Sequence, residues 1–421
     1  MTGEAGAPTS EAGAPTSEAG APTSEAGAPT SEAGARSSEN GSRSSEAGSR
    51  SSEHGAEGRA SRVLVLNCGS SSVKYRLFDG DGTVAKGLVE RVTDHESALR
   101  GVLGELDLDG LAAVGHRVVH GGTRFSAPTL IDDEVVAVVR ELIPLAPLHN
   151  PANLTGIEVA RRLIPGVPQV AVFDTAFHRT MPAAESTYAI DLAIAERYGI
   201  HRYGFHGTSH AYVSRRTAVL TGARKVITLH LGNGASACAV RDGRSVATSM
   251  GLSPLPGLVM GTRSGDIDPS VIFHLVRVGG LSLDDVDELL NHRSGLLGLA
   301  GANDMRDILG RRADGDAAAA LAFDVYCGRI KATVGAYHAI LGGAEAIAFT
   351  AGVGENAAPV RAAALEGLTA LGIEVDPDRN AGKGERVISP DGAPVTVCVV
   401  PTEEELEIAT QSRAVLQPPS A

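Results

Sequence analysis

Two polar, glycine-bearing turns set between apolar strands constrain this chain more than any other feature. Val63–Leu66 is an unbroken apolar run, the pattern of a strand buried on both faces. The stretch NCGSSSVK, Asn67 to Lys74, follows it, and Val73–Phe78 reads as a second strand that ends at the turn Asp79-Gly80-Asp81-Gly82. About 163 residues further on the order recurs in VITLHLGNGASACAV, Val226 to Val240. An apolar strand runs into His230-Leu231-Gly232-Asn233-Gly234, a second strand follows, and Arg241-Asp242-Gly243 makes the turn. Glycine and small residues let backbone N–H groups approach an anion, and serine hydroxyls donate as well. Neither stretch is a GxxxxGK[ST] loop with a helix behind it. Taken singly, each is more often an ordinary tight turn than a site. Two in matching form predict a duplicated α/β domain with two facing phosphate-binding hairpins.

Two further junctions point the same way. IAFTAGVGEN, Ile347 to Asn356, reads as a strand ending in Gly352-Val353-Gly354, with Glu355-Asn356 opening a helix that offers its N-terminus to a nucleotide. A lone GxG is a weak signal. In VTVCVVPTEEELEIA a strand, Val395–Val400, stops at Pro401. Thr402 is then the predicted N-cap and Glu405 the partner in a capping box. That accounts for Glu405 and leaves Glu404 to reach a cleft as a carboxylate for a metal.

The first sixty residues belong to another class. Glu4 to Arg59 divides into eight seven-residue units that begin as copies of EAGAPTS and drift to EHGAEGR. None carries a large apolar residue, so a coiled coil is ruled out, and residues 1–60 are expected to be a disordered, low-complexity tail. Removing its nine Glu and four Arg from the total of −13 leaves a charge of −8. An acidic chain without a basic patch argues against nucleic-acid binding. Apolar runs near eighteen residues and a basic-then-apolar leader are both missing, so neither a membrane span nor a signal segment is expected. The 4 cysteines are widely spaced without CxxC, which fits reduced thiols in the cytoplasm. The remaining 360 or so residues exceed a single core, so two domains are expected.

NCGSSSVK, GHRVVHGG, FDTAFH, RYGFHGTSH, LHLGNGAS, MGTRSGDIDP, NDMRD, GVGEN and PTEEELEIA resemble, in order, the motifs of the acetate kinase family. The resemblance runs from Arg62 to about Ala409. It implies the actin-like, ribonuclease H-like fold of the acetate and sugar kinase, chaperone and actin superfamily. The implied domains are residues 61–178 with 401–421, and residues 179–400, with a nucleotide cleft between them. The implied reaction is Mg²⁺-dependent (or Mn²⁺-dependent), reversible transfer of the ATP γ-phosphoryl to acetate, giving acetyl phosphate and ADP. A carboxylate nucleophile has no proton to lose, so the site needs positive charge and in-line positioning more than a base.

Residue by residue, Arg117 and Arg263 match the family's two active-site arginines, whose forked guanidinium suits carboxylate and phosphoryl oxygens. His206 matches the histidine that stabilises the transferring phosphoryl, and His178 closes a motif beside it. Asp174 matches an essential aspartate that orients Mg²⁺-bound water or an arginine. Asn67 and Glu404 match residues associated with the metal; Glu403, a carboxylate where many relatives have Asn or Asp, leaves the assignment between the two glutamates open. Ser70, Ser72 and Lys74 belong to the first phosphate hairpin. His230, Leu231, Gly232, Asn233 and Gly234 belong to the second. Asp304, Met305 and Arg306 match the segment beside the adenosine, and Gly352, Val353, Gly354, Glu355 and Asn356 the loop under the base and ribose. Val119, Leu148 and Pro254 match the lining of a methyl pocket. One extra methylene changes binding in such a pocket by about 1–3 kcal/mol, so propionate is expected to be a poorer substrate rather than an excluded one.

The HxxxH spacing of His206 and His210 would suit zinc on a helix, but no third ligand accompanies it, and His210 is expected to be structural. Cys68 is expected to be a small packing residue rather than a redox sensor. Family resemblance further implies a homodimer. The alternatives are a propionate kinase of the same family and, from another class, an actin- or chaperone-like ATPase that switches a partner.

Overall fold

A computed structural model of the chain describes residues 62–69, 72–147 and 149–417. The repeat tail, Ser70 and Leu148 lie outside the described residues. Two six-stranded sheets carry the fold. The first is built from β1 (Arg62–Cys68), β2 (Ser72–Asp79), β3 (Gly82–Glu90), β4 (Leu111–Val118), β5 (Thr129–Leu130) and β6 (Gln169–Phe173), in the order β3-β2-β1-β4-β6-β5. The second comprises β7 (Lys225–Leu231), β8 (Ala235–Arg241), β9 (Arg244–Thr248), β10 (Ala346–Thr350), β11 (Arg386–Val387) and β12 (Thr396–Val399), in the order β9-β8-β7-β10-β12-β11. Strand for strand, the second order repeats the first. The pairings repeat too: an antiparallel meander, two parallel neighbours, and a short antiparallel edge. The expected duplicated α/β fold is the observed one.

The apolar runs read from the sequence are explained by this layering. In β1, Leu64 and Leu66 enter a core shared with the helices His95–Glu105 and Asn150–Leu163, while Val63 and Val65 enter another shared with Ile408 and Ala409 of the helix Glu404–Leu416. Both faces of the strand are therefore covered, which removes any alternation of apolar and polar residues. The second sheet is treated alike. Ile347 and Phe349 of β10 pack with Phe323, Ile330 and Val334 of the long helix Ala317–Leu341, while Ala348 meets Val213 of the helix Gly207–Thr221 on the other face. The chain thus ends by returning to the first sheet, where the helix Glu404–Leu416 lies across β1, β4 and β6.

Two local expectations are corrected. Ala351 adopts a left-handed backbone (φ 63°), so the turn after β10 is complete in one residue and Gly352–Asn356 already form the body of a short helix, Ala351–Asn356. Thr402 does not cap the last helix. Its hydroxyl is 2.9 Å from that of Ser209, Glu403 stands at the cap position without a capping bond, and Glu405 pairs with Lys74 at 2.5 Å. Tertiary partners took the side chains that a local capping box would have used. All 4 cysteines are buried and free, and burial pushes the Cys68 thiol up to about 12, so it stays protonated as expected of a packing residue.

Candidate active site

The parallel pairing of β4 with β6 brings Arg117, near the end of one strand, beside Asp174, which follows the other. Arg117 Nε donates to Asp174 Oδ1 at 3.0 Å, and Nη2 donates to Oδ2 at 2.7 Å. Glu404 Oε2 lies 3.9 Å from the same Nη2. Between the two carboxylates, the Thr208 hydroxyl stands 3.3 Å from Glu404 Oε2 and 3.5 Å from Asp174 Oδ1. Burial works against the Arg117 charge, but Asp174 and Glu404 outweigh it and raise its pKa. On Asp174, burial is the largest influence and raises the pKa against the opposing pull of Arg117, with Glu404 adding to the rise. For Glu404 the balance is reversed: burial is outweighed by Arg117, His230 and Lys74, and its pKa falls.

The second hairpin, tightened by Gly232 N donating to Gly234 O at 3.0 Å, supplies the opposite wall. Gly234 faces the gap between His206 and Arg263. A Cβ there would sit 3.5 Å from His206 Nε2 and 3.6 Å from Arg263 Nη1, filling the space on which both groups converge. His206 Nδ1 is held 2.8 Å from Ser236 Oγ, and its backbone is left-handed (φ 57°), a strained state for a residue with a side chain. Burial, then the neighbouring His230, Arg117, His210 and Arg263, hold its pKa well below the ordinary value, so the ring is neutral at pH 7. Arg263 is a different kind of cation from Arg117. Its Nη1 reaches only the carbonyl of Pro254, at 3.3 Å, and Met260 Sδ; no carboxylate among the described residues forms an ion pair with it, and burial lowers its pKa. Burial, followed by the charges of Arg263 and Arg117, brings His149 down to about 4.

Next to this cleft lies a cavity of about 650 Å³. Gly232, Asn233, Asp304, Met305, Arg306, Gly352, Val353 and Asn356 all line it, joined by the apolar Leu296, Leu309 and Pro359. The structure therefore gathers one residue set from three separate segments. Other residues named from the sequence fall elsewhere. Leu231 is fully buried in the core, and Gly354 is packed against the backbone of β10. Glu355 turns its Oε1 to the Thr402 N–H at 3.3 Å. Fully buried Arg361 reaches the carbonyls of Gly354 and Glu355 at 2.9 and 3.0 Å, which fixes these two away from the cavity wall. Lys74 turns to Glu405. Asn67 closes β1 opposite Lys74, and Ser72 opens β2. His230 Nδ1 bonds Ser209 Oγ at 2.8 Å, and its Nε2 faces Gly232. His178 is a buried strut, with Nε2–H donating to Phe205 O at 2.9 Å and Nδ1 at 2.9 Å from Ser245 Oγ. Val119, just past the end of β4, packs against the core that holds Ile347 and Phe349 of the second sheet. Thr208, Ser209 and Ser236 were not singled out in the sequence; the first two lie inside the motif FHGTSH and the third closes LHLGNGAS, and those motifs were the signal that could have pointed at them.

The oxygen donors Asp174, Glu404 and Thr208 fit Mg²⁺, which keeps most of its waters and takes one or two protein carboxylates alongside substrate phosphates. Among the described residues no group of three His, Cys, Asp or Glu side chains is placed to hold a metal by itself. His206 and His210 share Ser236 Oγ as a hydrogen-bond partner.

Residues 94–410 match the model of the acetokinase family. An acetate kinase of Streptomyces coelicolor is 60% identical over 85% of this chain and 97% of its own length, and one of Leifsonia xyli is 55% identical over 84% and 98%. Among solved structures, an acetate kinase of Porphyromonas gingivalis superposes with a TM-score of 0.81 at 42% identity, covering 85% of this chain and all of that one. A propionate kinase of Francisella tularensis superposes at 0.80 with 40% identity, covering 83% and 98%. On the family match and these relatives, the chain belongs to the acetokinase family.

Proposed function

We propose that this chain transfers the γ-phosphoryl group of ATP to acetate, reversibly, giving acetyl phosphate and ADP. The observation that carries the reading is the unneutralised Arg263 converging with neutral His206 on the gap at Gly234, next to Gly232 and Asn233, which line the cavity of about 650 Å³. A half-buried cation with no ion-pair partner among the described residues is partly desolvated without compensation, and an anionic substrate relieves that cost. Arg263 receives the acid or the transferring phosphoryl, and His206 donates from Nε2 to the same charge. Arg117, held by Asp174, offers its remaining N–H groups in a fixed direction. Val119 and Pro254 wall the methyl group. Asp174, Glu404 and Asn67 would hold Mg²⁺, which when bound neutralises phosphate oxygens as a Lewis acid. Direct in-line transfer follows because the nucleophile needs no base.

The test is ADP release from Mg·ATP with acetate, propionate, butyrate or no acid. Release that is greatest with acetate, smaller with propionate and nearly absent without acid supports the reading. Preference for propionate moves the assignment to propionate kinase, a reading kept open by the Francisella structure. Acid-independent turnover favours a partner-switching ATPase and removes this proposal. We further infer a homodimer in the cytoplasm. Four free, buried thiols support the compartment. The helix Ser270–Arg277 buries no residue and leaves Phe273 55% exposed beside Val271, which supports a second copy covering it. Light scattering should then read close to twice 43.1 kDa.

A further inference from the structure

A row of hydrogen bonds runs inward from His206. Its Nδ1 lies 2.8 Å from Ser236 Oγ, that hydroxyl lies 2.7 Å from His210 Nε2, and His210 Nδ1 lies 2.7 Å from Thr228 Oγ1. Ser236, His210 and Thr228 are completely buried. A hydroxyl has one proton to give and a neutral imidazole one N–H. A hydroxyl oxygen can accept twice, but among the described residues Ser236 Oγ bonds only these two rings, so its proton serves one of them; all protons in the row then point the same way, in one of two arrangements. In one, His206 Nδ1–H donates inward to Ser236, and Nε2 faces the cleft as a bare lone pair. In the other, every proton points outward.

We propose that Thr228, His210 and Ser236 form an outward-pointing relay that fixes His206 as the tautomer with its proton on Nε2, facing the substrate anion. The argument proceeds link by link and rests on the phosphoryl-transfer reading above. Nε2 faces the gap at Gly234 together with Arg263 Nη1, where an anion is received, and an anion accepts hydrogen bonds without donating any. A second proton would make the His206 ring a cation facing the same gap as the Arg263 guanidinium, which has no carboxylate partner among the described residues. Its single proton must then be on Nε2, so Nδ1 must accept. Ser236 is its hydrogen-bond partner and must donate. The Ser236 oxygen in turn receives His210 Nε2–H, and His210 Nδ1 receives the Thr228 hydroxyl proton. Bonds aligned in this way polarise one another and strengthen the last donor. His210, expected from the sequence to be structural, becomes a positioning residue with Ser236 and Thr228.

The first readout is the ¹⁵N spectrum of histidine-labelled enzyme near pH 7.5 with a non-hydrolysable ATP analogue and acetate. The relay requires neutral rings with the proton on Nε2 in both His206 and His210. A proton on Nδ1 of His206, or a doubly protonated ring, overturns it. Second, Ser236→Ala should lower kcat about 10- to 100-fold, less than deleting the donor itself, with KM for ATP and acetate within about twofold. An alanine variant with wild-type kcat overturns the relay. Third, His210→Gln keeps an N–H for Ser236, whereas His210→Leu suits a fully buried site better but keeps none. The relay predicts more activity in Gln than in Leu, and a purely packing role predicts the reverse. The tautomers are read without turnover. If they are as stated but the wild-type chain phosphorylates no carboxylic acid, the reaction reading fails and the relay stands.

Discussion

Arg263 is a half-buried cation that no carboxylate among the described residues neutralises, whereas Arg117 is clasped by Asp174 through two short bonds. The same deletion should therefore act differently at the two positions. Arg263→Ala removes charge aimed at the substrate and should lower kcat by about 10²-fold or more. It should leave the melting temperature unchanged or raised, because a desolvated charge with no ion-pair partner disappears. Arg117→Ala should also abolish most turnover, but it strands Asp174, which is 1% exposed. Leaving one partner of such a pair alone typically costs about 3–5 kcal/mol, so the urea midpoint should fall markedly. Equal stability of the two variants, measured side by side, would refute this division. At this scale the sequence was informative where a residue type is unusual in its setting, such as an arginine in a glycine-flanked loop. It placed Ser236 and Thr208 inside motifs but gave neither a role. A hydroxyl on a buried strand or in the first turn of a helix is ordinary, and its partner is brought up from distant positions by the fold.

At the scale of elements, the helix Gly207–Thr221 docks its first residue on the site. Gly207 N–H donates to the Asp174 carbonyl at 3.0 Å, and a Cβ on Gly207 would stand only 2.1 Å from that oxygen. The contact is backbone, so it cannot rotate away. Gly207→Ala should therefore push the helix off Asp174, cost about 2 kcal/mol or more of stability, and lower kcat together with it. Gly352 should behave in the opposite sense. It lies within a helix, a Cβ there meets nothing within 4 Å, and it lines the nucleotide-sized cavity. Gly352→Ala should stabilise the fold by about 0.5 kcal/mol through helix propensity while raising KM for ATP. An unchanged KM would remove Gly352 from the nucleotide wall. The sequence suggested a helix near Gly352 but put its start too late. The left-handed Ala351 that starts the helix early is a residue for which that conformation is uncommon, so no local pattern announces it. The cap at Thr402 misled for a related reason: a Thr-x-x-Glu pattern is satisfied locally only when no tertiary partner competes for its side chains.

For the whole molecule, the repeated strand order was legible at the two hairpins because their turns are chemically distinctive. The matching edges β5 and β11 are two residues long and carry no period at all. The chain's response to acid is a property of the same scale, set by buried histidines in a strand, a loop and helices from distant parts of the sequence. Burial is the largest influence on each of His116, His120 and His178, and it brings all three down to about 4; His206 and His210 are also held well below the ordinary value. In the unfolded chain these rings titrate near 6.5. Between those two values the unfolded chain binds protons that the folded one refuses, so acidification favours unfolding. The stability held by neutral burial is fully present above about pH 6.5 and is lost as pH falls toward 4, at roughly 1.4 kcal/mol per pH unit for each such ring. His116 isolates one ring. It is 2% exposed on β4, and its Nε2 lies 2.7 Å from Gln169 Oε1, away from the catalytic groups. His116→Gln keeps a donor for that oxygen but cannot titrate. Unfolding free energy measured in urea between pH 4.5 and 6 should then rise with pH less steeply in the variant than in the wild type, by about 1.4 kcal/mol per pH unit. Parallel slopes would show that His116 protonates equally in the folded and unfolded chain. A wild-type stability that rises on acidification would show that groups other than the buried histidines set the acid limit.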